Sequence, residues 1–405
     1  MPRRLRMEIE EAMIKMDKHL LARFDVVLLV LVGLICCMGL LNLFSGSVSL
    51  NALAQNHGYS PFIKQAIFMV MGFILCFVAL LFDYSKLQKW NLLIYGVGVA
   101  LLVIVDAFGN SAGGAQRWID LGIIKLQPSE IQKLILVIVL ASYYAHREVK
   151  DGYGIKDLIK PVLLVLVPAC LVFVQPDFGT AGILLIIAVA ITLLAGVRLS
   201  TLIPVALIGI ILFVVIWENV ENLETLLGPY HLKAYQIKRI QTLFHPELAD
   251  PMGQGYQILQ SKIAIGSGGL VGSGYLMGTQ AQLRFLPERH TDFAFAVWGE
   301  EWGFIGSFFF VGIYMLFLLW GLWIAMRARD RFGVLLAYGV VMMIACQAII
   351  NLLMVMALFP VVGVPLPLVS YGGSSLLTTM LGVAILLNVR MRCESAPASS
   401  ARSQD

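Results

Sequence analysis

Apolar runs of about 20 residues recur along most of this 405-residue chain, and each is long enough to cross a ~30 Å hydrocarbon core as a helix. No other feature restricts the fold so severely. The chain is 59% hydrophobic and 13% charged, where a soluble domain carries roughly 25% charged residues. A membrane β-barrel would need short alternating strands instead. The expected fold class is therefore an all-α polytopic membrane protein. Ten spans are predicted, near 26–45, 62–83, 90–107, 127–146, 159–175, 178–196, 199–217, 293–325, 333–357 and 370–391.

Basic loops orient such a bundle. Arg3, Arg4, Arg6, Lys15, Lys18 and Arg23 precede the first span, and Lys86 and Lys89 follow the second. Arg147, Lys150, Lys156 and Lys160 follow the fourth, Arg198 the sixth, Arg327, Arg329 and Arg331 the eighth, and Arg390 and Arg392 the tenth. With ten spans all of these share one side, so both termini are expected in the cytoplasm. The net charge of +4 then describes topology, and no nucleic-acid partner is expected. The first span follows a charged segment without a small-residue cleavage site and reads as a retained signal anchor.

The expected organisation is a cytoplasmic segment at 1–25, helices one to seven over 26–217, a large outer loop at 218–292, helices eight to ten over 293–391, and a disordered Ser/Ala-rich tail at 392–405. The loop is too polar to span and too long for a plain connection. Its first part, "HLKAYQIKRIQTLFHPELADP", has the spacing of an amphipathic helix at the headgroups. Its second, "GQGYQILQSKIAIGSGGLVGSG", is rich in Gly with Gln257 and Gln260 interleaved. Of the six cysteines, five fall in apolar spans, and none has metal or disulfide spacing.

The unusual polar residues gather on the outer side. They are "GAQRWIDLGIIKLQPSEIQKL" before span four, "QPDFGTA" between spans five and six, "RFLPERHTDFAFA" before span eight, and "VPLPLVSYGGSS" before span ten. A transporter places its ionisable groups near the midplane, whereas these spans are mostly clean there. Glu300 and Glu301 enter span eight, and Gln347 and Asn351 lie in span nine. A shallow outer cleft acting on a lipid headgroup fits this asymmetry.

Each candidate has a plainer alternative. Asp292, with Thr291 as the expected helix cap, either complements the helix dipole or acts as a base. Glu130 and Lys133 share a helix face just after Pro128, a residue suited to a helix start. Intramembrane charges of opposite sign should pair, so a structural or activation ion pair is the expected reading, with direct catalysis as the alternative. Asp177 caps a helix or meets substrate, and Arg117 beside Trp118 anchors at the interface or binds phosphate. Ser370, in its Pro/Gly-rich stretch, starts a helix or contacts substrate. Lys125, Arg284, Arg289 and His290 are further candidates for an anionic ligand, and His290 has no second histidine nearby to make a metal site.

Taken in order, "GAQRWIDLGIIKLQPSE", "QPDFGTA", "GYQILQSKIAIGSGGLVGSG", "FLPERHTDFAFA" and "PLPLVSYGGSS" resemble the SEDS family of peptidoglycan glycosyltransferases over nearly the whole chain. "GTQAQLRFLPERHTDF" and "VPLPLVSYGG" are closer to its elongation branch, RodA, than to its division branch, FtsW. One departure is "FAFAVWGEEWG", where RodA members more often have "FIFAVLAEELG". The resemblance implies an enzyme of the bacterial inner membrane that polymerises lipid II into glycan strands during cell elongation. It implies a polyprenyl-diphosphate-linked glycan as second substrate, a class B penicillin-binding protein as partner and a periplasmic active site. It puts the essential acid on Asp292, the span-four ion pair on Glu130 and Lys133, and a further acid on Asp177. A Mg²⁺ or Mn²⁺ ion is a possible cofactor, and no organic cofactor is expected. A lipid II flippase and a non-catalytic scaffold for a transpeptidase stand as alternatives.

Overall fold

The computed structural model describes residues 23–47, 60–112, 115–120, 125–147, 149, 152–219, 254–283, 285–286 and 288–393. The sequence expectations for 1–22, for the amphipathic segment at 231–251, for Arg284 and for the tail beyond 393 lie outside these residues.

Each predicted span is a helix. They are α1 (Val26–Ser47), α2 (Ser60–Leu80), α4 (Asn91–Phe108), α5 (Pro128–His146), α6 (Ile155–Val174), α7 (Phe178–Ala195), α8 (Leu199–Glu218), α11 (Ala294–Met326), α12 (Arg331–Val355) and α13 (Gly373–Met391). Four-to-five-residue helices α3 (Ser85–Lys89) and α10 (Thr279–Gln282) and the longer α9 (Gln254–Gly268) lie between them. Among the described residues, eight helices are apolar and long enough to cross a membrane. The other two long helices are α5, which carries Glu130 and Lys133, and α8. Prolines inside α6 and α8 are tolerated because neighbouring helices in a bundle can satisfy freed backbone groups.

The bundle has a defined inside. α12 packs on α5, α7, α11 and α13, and α13 packs on α2. α5, α12 and α13 are largely buried, whereas α4 and α6 expose broad apolar faces such as Leu92, Leu93, Ile159 and Leu163. That outward apolar surface is what lipid covers. The connection before α5 is no plain loop: it folds into a small antiparallel sheet of β1 (Asn110–Ala112), β2 (Ala115–Asp120) and β3 (Lys125–Leu126).

Helix α11 is broken where hydropathy reads it as continuous. Gly303 has φ +62°, a left-handed conformation that suits glycine. The break removes two helical hydrogen bonds, and the segment 269–274 replaces both. Phe304 N–H donates to Gly269 O (2.9 Å) and Ile305 N–H to Leu270 O (3.0 Å). Ser273 and Gly274 N–H donate to Glu300 O (3.0 Å) and Glu301 O (3.1 Å). Irregular backbone at such a position is stable only when buried in protein with its polar groups paired. The two glutamate side chains extend the clamp. Glu300 accepts from the Thr279 hydroxyl (3.1 Å) and Gln280 N–H (3.0 Å). Glu301 accepts from Leu276 N–H (3.2 Å) and from the Ser45 hydroxyl at the end of α1.

Candidate active site

Asp292 lies in the turn just before α11. The helix cap is Phe293, without a side-chain capping bond, not Thr291 as the sequence suggested. The Thr291 hydroxyl donates instead to the Glu288 carboxylate at 2.8 Å, so the 288–292 turn closes on itself. The turn is also pinned from outside. The Asn351 amide donates to Asp292 O and to Val364 O, both at 2.7 Å. The Ser370 hydroxyl donates to Thr291 O at 2.5 Å and accepts from Leu366 N–H at 3.0 Å. Tyr371 N–H donates to His290 O at 2.8 Å. The stretch 364–371 thus splints the backbone that carries Asp292, and Gln65 of α2 braces it by donating to Ser370 O at 3.1 Å.

Ser370 is therefore a positioning group, its hydroxyl already engaged. Arg289 is buried, its Nε donating to Gly46 O at the end of α1 (2.7 Å). His290 lies against Gly46 as well. These two candidates fasten the turn to α1.

Other candidates do converge. Asp177 caps α7, accepting from Thr180 N–H at 3.4 Å. Its Oδ2 also accepts from the Gln127 amide (3.1 Å) and the Ser129 hydroxyl (3.3 Å). Arg117, on β2, donates through Nε to Gln175 O (2.9 Å) and also to Pro176 O. The small sheet and the α6–α7 turn so form one wall beside Asp292. Lys125 is exposed on β3, and its carbonyl accepts from Ser374 at the start of α13 (2.7 Å). Gln257 and Gln260 lie half-buried on α9, which docks near this end by the Ser261 hydroxyl donating to Val355 O (2.6 Å).

The Asp292 carboxyl is pushed up to about 7. Burial is the largest cause, the carboxylates of Glu288 and Asp177 add to it, and Arg117 opposes them. A carboxyl held there exchanges its proton near neutral pH, as a general base should. Glu300, tied to Thr279 and Gln280, is no partner acid for it.

Beneath this end, Lys133 donates to Glu130 at 2.7 Å and to the Gln347 amide oxygen at 2.7 Å, all three buried. Gln347 and Asn351 stand one turn apart on α12, hence on one face. One helix therefore holds both the ion pair and the Asp292 backbone. The sequence marked both amides as polar intrusions, yet nothing in it named their partners. Glu288 is the residue sequence reasoning passed over, although it stood inside the charged motif.

The FtsW/RodA/SpoVE family, described as "Cell cycle protein", matches residues 25–395. The peptidoglycan glycosyltransferase MrdB of Escherichia coli K12 is 41% identical over 79% of this chain and 83% of its own length. A probable FtsW from Trichlorobacter lovleyi is 34% identical over 93% of this chain and 96% of its own. Among solved structures, a chain of a peptidoglycan synthase complex that coordinates polymerization and crosslinking superposes with a TM-score of 0.73 at 32% identity, covering 91% of this chain and 97% of that one. This chain belongs to the SEDS family of peptidoglycan glycosyltransferases.

Proposed function

We propose that this chain polymerises lipid II into glycan strands for cell elongation, with Asp292 as general base on the periplasmic face. Both termini then lie in the cytoplasm of a bacterial inner-membrane protein, and a class B penicillin-binding protein supplies the crosslinking activity. The one observation that carries the mechanism is the Asp292 carboxyl, raised to about 7 within a splinted turn beside Arg117 and Asp177.

The donor strand hangs from a polyprenyl lipid through an α-linked diphosphate. The 4-hydroxyl of the incoming lipid II sugar attacks the anomeric carbon. Asp292 takes the hydroxyl proton as the new C–O bond forms. The anomeric C–O bond to diphosphate breaks, and the electron pair leaves with the polyprenyl diphosphate. One inversion turns the α-linkage into a β-linkage, so no second carboxylate nucleophile is required.

The leaving diphosphate needs positive charge, the kind of electrostatic help that often dominates catalysis. Arg117 and Lys125 are the described candidates. Among the described residues no three ligating side chains form a metal cluster. A Mg²⁺ or Mn²⁺ ion would then be held by Glu288 together with substrate phosphates, a manner natural to Mg²⁺, leaving Asp292 to take the proton. Such an ion would neutralise charge on the diphosphate.

The test is purified Asp292→Asn with the partner protein and lipid II. Glycan synthesis should fall at least ~10²-fold, the usual scale for a positioned base, while the complex still assembles. Polymer formed at the unaltered rate overturns the assignment. Polymer formed by the unaltered protein in detergent also separates an enzyme from a flippase or scaffold, neither of which makes any.

A further inference from the structure

A cavity that the proposed reaction does not use opens at the end of the bundle opposite Asp292 and reaches inward to Ile131. It has a volume of about 560 Å³ and lies between α2, α4, α5 and α13. Its walls are apolar, with Ile94, Ile131, Leu134, Ile138, Leu381 and Ile385 among them. That is the size and character of a pocket for a small apolar ligand or chain.

Its rim is charged. Lys86 on α3 lines the opening, and Lys89 lies three residues on, on the same helix face. Both lysines are exposed, and neither has an ion-pair partner among the described residues. The rim's acids are otherwise engaged. Asp83 accepts from Ser85 N–H (2.8 Å) and pairs with Arg392 (3.4 Å). Burial works against its ionisation, yet the Ser85 bonds and the charges of Arg392 and Arg329 hold its carboxyl below the ordinary range. Asp330 accepts from the Tyr84 hydroxyl. Trp90, exposed beside the opening, is the aromatic type that settles at headgroup depth. Lys86 at the rim, with Lys89 one turn along the same short helix, thus stands above an apolar, chain-sized hole.

We propose that this cavity binds one anionic phospholipid, an acyl chain inside it and the headgroup phosphate on Lys86 and Lys89. The surrounding leaflet favours this occupant, because the proposed orientation puts the basic end in the cytoplasmic leaflet, where anionic lipids attract basic groups. The bound chain would lie against Ile131, Leu134 and Ile138 of α5, the helix that carries Glu130 and Lys133. A lipid there braces α5 along the stretch that begins beside Glu130 and Lys133.

The experiment is native mass spectrometry of the purified full chain, extracted into detergent with phosphatidylglycerol or phosphatidylcholine added. One phosphatidylglycerol should be retained in preference to phosphatidylcholine. Lys86→Glu should lower that retention at least about fivefold, the scale of one basic group's attraction to an anionic lipid surface. Ile94→Trp, which fills the cavity, should abolish it. Lys160→Glu, an exposed lysine on α6 away from the opening, should change nothing. Lys86 is exposed, so its variant folds and decides the matter even where Ile94→Trp does not. Equal retention of the two lipids, or retention unaffected by Lys86→Glu, overturns the proposal. Displacement of phosphatidylglycerol by equimolar polyprenyl phosphate assigns another occupant and overturns it too.

Discussion

Two acidic residues lie within reach of α12 and meet opposite treatment. Glu130 is buried with a lysine at 2.7 Å, and that lysine is held again by Gln347 at 2.7 Å. Asp292 has its backbone fixed by Asn351, one turn further along, while burial and two other carboxylates raise its carboxyl and Arg117 only partly opposes them. The first arrangement satisfies a charge and makes a fixed post. The second holds the residue in place and leaves its charge costly, which is the condition for proton exchange. Among the described residues, hydrogen bonds hold the Asp292 main chain and none reaches its carboxyl.

Removing a partner should separate the two most sharply at the post. Lys133→Met strands the Glu130 carboxylate in the bundle, and breaking a buried pair this way costs about 3–5 kcal/mol. The melting temperature in detergent should drop steeply. The double variant Glu130→Gln with Lys133→Met removes both charges and should recover most of the loss. Equal melting of the single and double variants would break the distinction, since Glu130 would then not depend on its lysine.

The same operation on Asp292 should have the opposite sign. Its folded value is about 7, against an unfolded value of ~3.9. Between these values the folded chain binds a proton that the unfolded chain has released. Stability from this group is therefore present at low pH and is lost as pH rises through about 7. Asp292→Asn carries no charge to desolvate. Its melting temperature should exceed that of the unaltered protein by a few degrees at pH 8, and the gain should fade toward pH 4. A loss of stability at pH 8 would mean that the carboxylate is well satisfied, as Glu130 is. Gain in stability with loss of activity is the usual mark of a strained functional group.

Much of this was legible in the residues. The ten apolar runs became ten helices because a hydrocarbon solvent leaves a long apolar segment few other states. The motif around Asp292 stood out because ionisable groups at a span's doorway need a reason. What the sequence hid was direction. Arg289 and His290 stood as candidates for an anion; Arg289 Nε reaches back to Gly46 O, His290 packs against Gly46, and the Ser370 hydroxyl is engaged by Thr291 O. Which way a side chain points is settled by neighbours far along the chain, and α1 lies some 240 residues from Arg289. The break at Gly303 was hidden for a related reason. Averaged hydropathy reads Trp302–Gly303–Phe304 as continuous helix, and only the inserted 269–274 backbone explains how the gap is filled.

The smallest effect is the most discriminating, because it tests the field around Asp292 and not the residue itself. Glu288 raises the Asp292 carboxyl and Arg117 lowers it. A base works only when deprotonated, so the polymerisation rate should climb with pH and level off above about 7. Glu288→Gln removes a neighbouring negative charge and keeps an oxygen for the Thr291 hydroxyl, now 2.8 Å away. The rising limb should move to lower pH by a few tenths of a unit, since Glu288 is exposed and solvent weakens its pull. Arg117→Gln should move the limb the other way. It also removes the bonds to Gln175 O and Pro176 O, so its plateau rate should fall as well. Loosened structure alone would lower both plateaus and leave both limbs in place. Opposite displacements of the limb therefore require that Asp292 is the titrating group and that these two side chains act on it through charge. If both variants move the limb in one direction, some other residue sets the pH dependence, and Asp292 is a fixed post like Glu130.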